Sequence, residues 1–128
     1  AAPKARKVAP VTVALVESGG NFLIQQRPEK GLLAGLWEPL LWEGEALTPG
    51  ELHEKLTAMG LVCEAEAIAP LPEAKHIFSH IEWRMSGYSV CVGSAEAPAG
   101  CVWASREQLQ NEYTLPGAFK AYKKKLGL

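Results

Sequence analysis

Thr48-Pro49-Gly50-Glu51-Leu52-His53-Glu54-Lys55-Leu56-Thr57-Ala58-Met59-Gly60 carries a helix with both of its ends written into it. Thr48 predicts the N-cap, Pro49 suits the first helical position, and Glu51 completes a capping box. Leu52, Leu56 and Met59 recur at helical spacing and make one apolar face, and Gly60 stops the helix. Strand signals surround it. Upstream, Val11 to Val16 is an apolar, β-branched run, Ser18-Gly19-Gly20-Asn21 a turn cluster, and Phe22 to Gln26 a second run, which together predict a β-hairpin. A loop opens at Arg27-Pro28-Glu29-Lys30-Gly31, and Leu36 to Trp42 reads as a short strand. Downstream, Val62 to Leu71 reads as a strand bounded by Pro70 and Pro72. Ile77 to Val92 reads as two alternating runs broken near Ser86-Gly87, and Val102-Trp103 as a short strand. Ser105 with Gln108 predicts a second capping box, and Pro116 opens a last helix through Lys125. Turns rather than crossover helices join most strands, so the expected class is α+β, a mixed β-sheet flanked by helices.

The chain has 128 residues, enough for one domain with a core of its own. Residues 1–8, small and basic with Pro3, read as an interdomain connector, and 9–128 as the domain. The net charge of -1 hides a division. There is no Asp, and all 14 acidic residues are Glu lying between Val8 and Phe119. Of the 13 basic residues, seven sit at the ends: Lys4, Arg6, Lys7, Lys120, Lys123, Lys124 and Lys125. That leaves six cations against 14 glutamates in the middle, a net -8. Such a body lacks the basic excess of a stand-alone nucleic-acid binder. No run of about 18 apolar residues exists, so no membrane span is expected. The first residues lack a signal peptide's apolar stretch, and a location in the cytoplasm, a bacterial cytosol or nucleoid, is expected. Cys63, Cys91 and Cys101 are widely spaced and read as small thiols in a reducing compartment rather than ligands.

Two constellations invite chemistry. A strand, a loop and a helix ending at Met59-Gly60-Leu61 resemble the Nudix layout. Active Nudix enzymes end that helix R-E-U-x-E-E-x-G-U, with U aliphatic, and its glutamates hold magnesium against a pyrophosphate. With the final Gly on Gly60, His53 takes the Arg position and Glu54 the next Glu. Thr57 and Ala58 replace the decisive pair, and Pro39 takes the place of the initial Gly. One carboxylate does not make a magnesium site, so no catalytic residue and no metal are expected. An active Nudix pyrophosphohydrolase of an oxidised nucleoside triphosphate is the alternative reading. The second constellation is Lys75-His76-Ile77-Phe78-Ser79-His80. Its His-x-x-x-His spacing would suit a metal on a helix. The flanking Ile77, Phe78, Ile81 and Trp83 are strand residues instead, and alternation would put His76, Phe78 and His80 on one face. A strand with two polar histidines and a ligand-reading loop both stay open.

Gly31-Leu32-Leu33-Ala34-Gly35-Leu36-Trp37-Glu38, followed by His76-Ile77-Phe78-Ser79-His80, resembles the C-terminal domain of MutY-type adenine DNA glycosylases. Gln25-Gln26-Arg27-Pro28 fits the same pattern, and the segment from Val102-Trp103 to Leu115-Pro116 resembles the family's closing strand and helix. The resemblance runs over residues 8–126. It departs after Glu38, where the family continues W-E-F-P and this chain goes directly to Pro39; Leu40 or Trp42 has to supply what that Phe does. The resemblance implies a Nudix-like domain that has lost hydrolysis and reads 8-oxoguanine opposite adenine in double-stranded DNA. It implies that base excision belongs to an N-terminal catalytic domain, which carries an iron–sulfur cluster; this chain needs no cofactor. A monomer working with that domain is expected. The family's lesion-reading loop falls on Phe78, Ser79 and His80, with His76 as its anchor. Lys4, Arg6, Lys7, Lys120, Lys123 and Lys124 are candidate phosphate contacts; solvated tails and helix-dipole pairing are equally ordinary uses of such residues.

Overall fold

A computed structural model describes residues 6–128. Among the described residues seven strands form one sheet: β1 (Lys7–Ser18), β2 (Asn21–Gln26), β3 (Trp37–Glu43), β4 (Ala69–Pro70), β5 (Ala74–Ile77), β6 (Ile81–Cys91) and β7 (Cys101–Ala104). The order is β4-β6-β1-β3-β2-β7, with β5 also paired to β6. β1 and β6 run parallel from Lys7↔Ile81 to Glu17↔Cys91, and every other pairing is antiparallel. The expected mixed sheet is therefore observed. Val11 to Val16 is buried on both faces, as a continuous apolar run at a parallel pairing should be.

One face carries Val11, Val13, Leu15, Trp83 and Met85. It is covered by α2 (Arg106–Asn111), a 3₁₀ segment over Gly117–Tyr122, and α3 (Lys123–Leu126), through Leu109, Phe119, Tyr122 and Leu126. The other face carries Ala14, Val16, Tyr88 and Val90, covered by Leu52 and Leu56 of α1 (Pro49–Ala58). Both capping boxes form as their spacings predict, at Thr48/Glu51 and Ser105/Gln108. Thr12 is fully buried between the layers, yet its hydroxyl donates to Glu45 O (2.7 Å) and accepts from Leu47 N (2.9 Å). That pair of bonds ties the segment before α1 to the sheet.

Several boundaries differ from the sequence reading. Lys7 and Val8, expected in the connector, are the first residues of β1 and pair with Ile81 and Glu82. The β1–β2 hairpin holds only at its turn, Glu17↔Phe22 and Ser18↔Asn21; beyond it β3 inserts between the two strands. Val62 to Leu71 is not a strand. It holds a 3₁₀ turn over Ala65–Ala67 and the two-residue β4, because Pro70 and Pro72 lack the donors a longer ladder needs. β6 passes unbroken through Ser86-Gly87. Gly87 marks a close approach: a Cβ there would lie 2.5 Å from Cε1 of Tyr122. The last helix is mostly 3₁₀, turning α-helical only at Lys123.

Two polar groups in this frame have measurable consequences. Among the described residues the buried Tyr122 hydroxyl finds no hydrogen-bond partner, and burial pushes its pKa up to about 12. A phenol whose folded pKa is raised contributes stability below its unfolded pKa of about 10 and loses it as pH climbs toward the folded value. Tyr122→Phe should therefore flatten the alkaline fall in stability and leave the pH 7 melting temperature equal or higher. A loss at pH 7 exceeding about 1 kcal/mol would mean that the hydroxyl has a partner. Glu82 is buried on the α1 side of the sheet, 2.9 Å from Arg84 Nε and 3.5 Å from Arg6 Nη2. The hydrogen bond from Arg84, with help from Arg6 and Lys75, outweighs desolvation and holds its pKa below the usual carboxylate value. A depressed acid contributes stability above its unfolded pKa and loses it as pH falls through the folded one. The melting-temperature gap between wild type and Glu82→Gln should be widest at neutral pH and close on acidification below about pH 4. A gap independent of pH would show that Glu82 acts through packing alone.

Candidate nucleic-acid interface

β5 and β6 form a hairpin whose last ladder pair is Ile77↔Glu82. Phe78 N then donates to Ile81 O at 2.8 Å, leaving Ser79 and His80 as an exposed two-residue tip. Two-residue hairpin turns normally need positive φ at one or both tip residues. Here neither has it, since Leu33 is the single non-glycine with positive φ among the described residues. The tip is braced from outside instead: Lys7 N donates to His80 O at 3.1 Å, so the first residue of β1 holds the turn.

The alternation expected for His76, Phe78 and His80 holds for the first two. Their rings meet edge to face at 4.7 Å on the Trp83 side of the sheet. His80 leaves that face because the strand ends at Ile77 and the chain turns. Phe78 is half-buried, its ring edge-on to Trp83 at 5.1 Å. Trp83 is fully buried and also meets Phe119 at 6.2 Å. Of the cationic candidates, Lys4 lies outside the described residues. Arg6 leans on Glu82, Lys7 and Lys120 are exposed, Lys123 is half-buried, and Lys124 is exposed.

A second loop, residues 27–36, packs against the same aromatic cluster. Its backbone turns at Gly31 (φ +96°), Leu33 (φ +52°) and Gly35 (φ +72°). Leu33 pays roughly 1–2 kcal/mol for a left-handed conformation, which burial of Leu32 and Leu33 against the core offsets. Below the loop lies a network that the sequence reading missed. Arg27, 8% exposed, donates from Nη1 to Glu38 Oε1 (2.8 Å) and from Nε to Leu32 O (2.8 Å). Its Nη2 meets Glu43 Oε1 at 2.6 Å, and its Cζ sits 5.4 Å from the centroid of Trp83. Gln25 Nε2 donates to the other oxygen of Glu38 at 2.9 Å. Burial opposes the charge on Arg27, but hydrogen bonds to Glu38 and Glu43 outweigh it and raise its pKa further. Burial pushes Glu38 up, and the bonds from Arg27 and Gln25 pull against that shift. The signal available in sequence was an Arg ending one strand and two Glu residues on the next, separated by a loop. Charge position alone does not say that Arg27 and Glu38 are buried.

The indole Nε1 of Trp83 has no acceptor among the described residues, a cost of about 1–3 kcal/mol for a buried donor. A phenylalanine would avoid that cost, but with a smaller π-face for the guanidinium and for Phe78. Trp37, Trp42 and Trp103 are half-buried; Trp37 packs on Tyr113 at 4.8 Å, and Trp103 Nε1 donates to Ala95 O at 2.9 Å. Leu40, beyond the departure at Pro39, is fully buried against the α1 layer, and Trp42 packs on its edge.

The helix does not suit magnesium. Leu52 and Leu56 face the core, while Glu54 is an exposed carboxylate with Thr57 and Ala58 in place of a second and third. Among the described residues no three His, Cys or Glu side chains gather as a ligand set, and the three cysteines stand apart on different segments. No helix among them is long and apolar enough to cross a membrane.

The adenine DNA glycosylase of Mus musculus is 37% identical to the chain and that of Homo sapiens 33%, covering 73% and 70% of it. The chain spans 19% and 18% of the length of those two proteins. The C-terminal domain of mouse MUTYH, solved in complex with human PCNA, matches with a TM-score of 0.73 at 26% identity, over 91% of this chain and 88% of that one. The MutT protein of Methanosarcina mazei Go1 matches with a TM-score of 0.69 at 14% identity, over 98% and 96%, a likeness of fold alone. A family model described as the NUDIX domain matches residues 11–125. With that match spanning the sheet and the helices on both its faces, the chain belongs to the NUDIX domain family.

Proposed function

We propose that this chain is the damage-reading domain of an adenine DNA glycosylase, and that it contacts 8-oxoguanine opposite adenine through Phe78, Ser79 and His80. The observation that carries the reading is the braced hairpin tip: two exposed polar residues on a half-buried aromatic, in a NUDIX domain whose helix lacks the magnesium carboxylates. The likeness to two adenine DNA glycosylases supports it.

The chemistry matches the lesion. Guanine shows an N7 acceptor in the major groove. Oxidation at C8 puts a hydrogen on N7 and an oxygen on C8. A serine hydroxyl both donates and accepts, so Ser79 can answer either change. Phe78 offers an apolar edge beside a base, and its contact with Trp83 makes it a stiff one. His80 presents its ring at the tip, and His76 supports Phe78 from the side. Phosphate affinity comes mostly from the partner catalytic domain, with its iron–sulfur cluster, because the Glu-rich body repels the DNA backbone. Lys4, Lys7, Lys120, Lys123 and Lys124 contribute phosphate contacts at the margins, and Arg6 does so only by leaving Glu82.

Amide NMR titration of the chain with duplexes containing 8-oxoguanine:adenine or guanine:adenine tests this. Shift changes should centre on Phe78 to Ile81 and be larger for the oxidised duplex. Phe78→Ala with Ser79→Ala should lower the preference about tenfold, the worth of one good polar base contact. An unchanged preference in that double variant overturns the proposal. Incubation with magnesium and 8-oxo-dGTP should release no pyrophosphate; turnover would favour the hydrolase reading instead.

A further inference from the structure

Building on that reading, we infer that Arg27 is a positioning residue for the lesion-reading turn, acting through Trp83. The contacts form a continuous series. Glu38 and Glu43 on β3 hold two arms of the guanidinium, and Leu32 O in the second loop holds the third. That leaves Arg27 Cζ over the Trp83 ring, 5.4 Å from its centroid, and Trp83 meets Phe78 at 5.1 Å. Arg27 is too buried to be a phosphate contact, with 7% of its side chain exposed. Its place in the molecule is to immobilise one face of the indole while Phe119 borders another.

The residue type supports a positioning role over simple charge neutralisation. Lysine would satisfy a buried glutamate, but it has neither the planar fork that reaches two carboxylates and a carbonyl at once nor a flat face to stack. The indole is also retained at the cost of an orphaned Nε1 donor. That cost is explained if the breadth of the ring, between guanidinium and Phe78, is what the site requires. The arrangement couples the two loops. Whatever moves loop 27–36 moves Arg27, and the turn at Ser79-His80 registers it through Phe78.

The experiment is Arg27→Lys in the full chain, with two readouts. One is the ratio of affinities for the 8-oxoguanine:adenine and guanine:adenine duplexes. The other is amide ¹⁵N relaxation of Phe78, Ser79 and His80 in the free protein. The ratio should fall about fivefold while guanine:adenine affinity stays within about twofold, and the three amides should gain fast motion while Leu52 and Leu56 do not. A merely structural role would lower the melting temperature and leave ratio and mobility alone, and that result overturns the inference. If Arg27→Lys fails to fold, Glu43→Ala replaces it. Glu43 is 44% exposed, and its truncation releases one arm of the fork, so a smaller change in the same direction is expected, and none overturns the inference. If wild type itself prefers neither duplex, the lesion-reading function fails. The relaxation readout then decides separately whether Arg27 orders the turn.

Discussion

The parallel pairing of β1 with β6 is the constraint on which the other parts of the molecule depend. Eleven residue pairs in one register put Val11, Val13 and Leu15 on the same face as Trp83 and Met85. Side chains alternate along a strand, so a slip of one residue would turn Trp83 to the opposite face of the sheet and bring Glu82 and Arg84 into the aromatic core. The same register sets the tip, because β6 begins at Ile81 opposite Lys7 and the Lys7 amide is thereby offered to His80. Sheet register and the geometry of the exposed turn are one specification.

The electrostatics follow a second rule. A chain without aspartate and with glutamate in excess has to neutralise the few carboxylates it buries. It does so locally: Glu38 by Arg27, with a hydrogen bond from Gln25, and Glu82 by Arg84 and Arg6. Burying such pairs gains little net stability, since desolvation consumes most of the attraction. Their use is geometric. Arg27 ties the loop at Leu32 to both ends of β3, and Arg6 joins the start of β1 to β6 beside their first ladder pair. The glutamates left exposed give the surface a negative charge that repels other polyanions.

Much of the frame was legible in the chain. The two capping boxes, the apolar run at Val11 to Val16 and the turn at Ser18-Gly19-Gly20-Asn21 depend on near neighbours, and local spacing reports near neighbours well. Failures came where a distant residue supplies the reason. Gly87 looked like a break because its partner, Tyr122, lies 35 positions away. Val62 to Leu71 looked like a strand because alternation says nothing about whether a partner edge is free. In the candidate site, Phe78, Ser79 and His80 were readable from a family pattern. The brace from Lys7 and the fork of Arg27 were not, because both are contacts across the sheet or beneath a loop.

Every β1–β6 pair joins residues 74 positions apart, from Lys7↔Ile81 to Glu17↔Cys91. Closing so long a loop delays the contact, and contacts of high sequence separation slow folding. As the chain leaves the ribosome, the β1 edge therefore stays open until residue 91 is available. The run Val11 to Val16 is the segment at risk of pairing with another chain during that interval. Trp83 belongs to the strand that ends the exposure. The groups proposed to read the lesion are thus assembled in the same step that protects the nascent chain from aggregation.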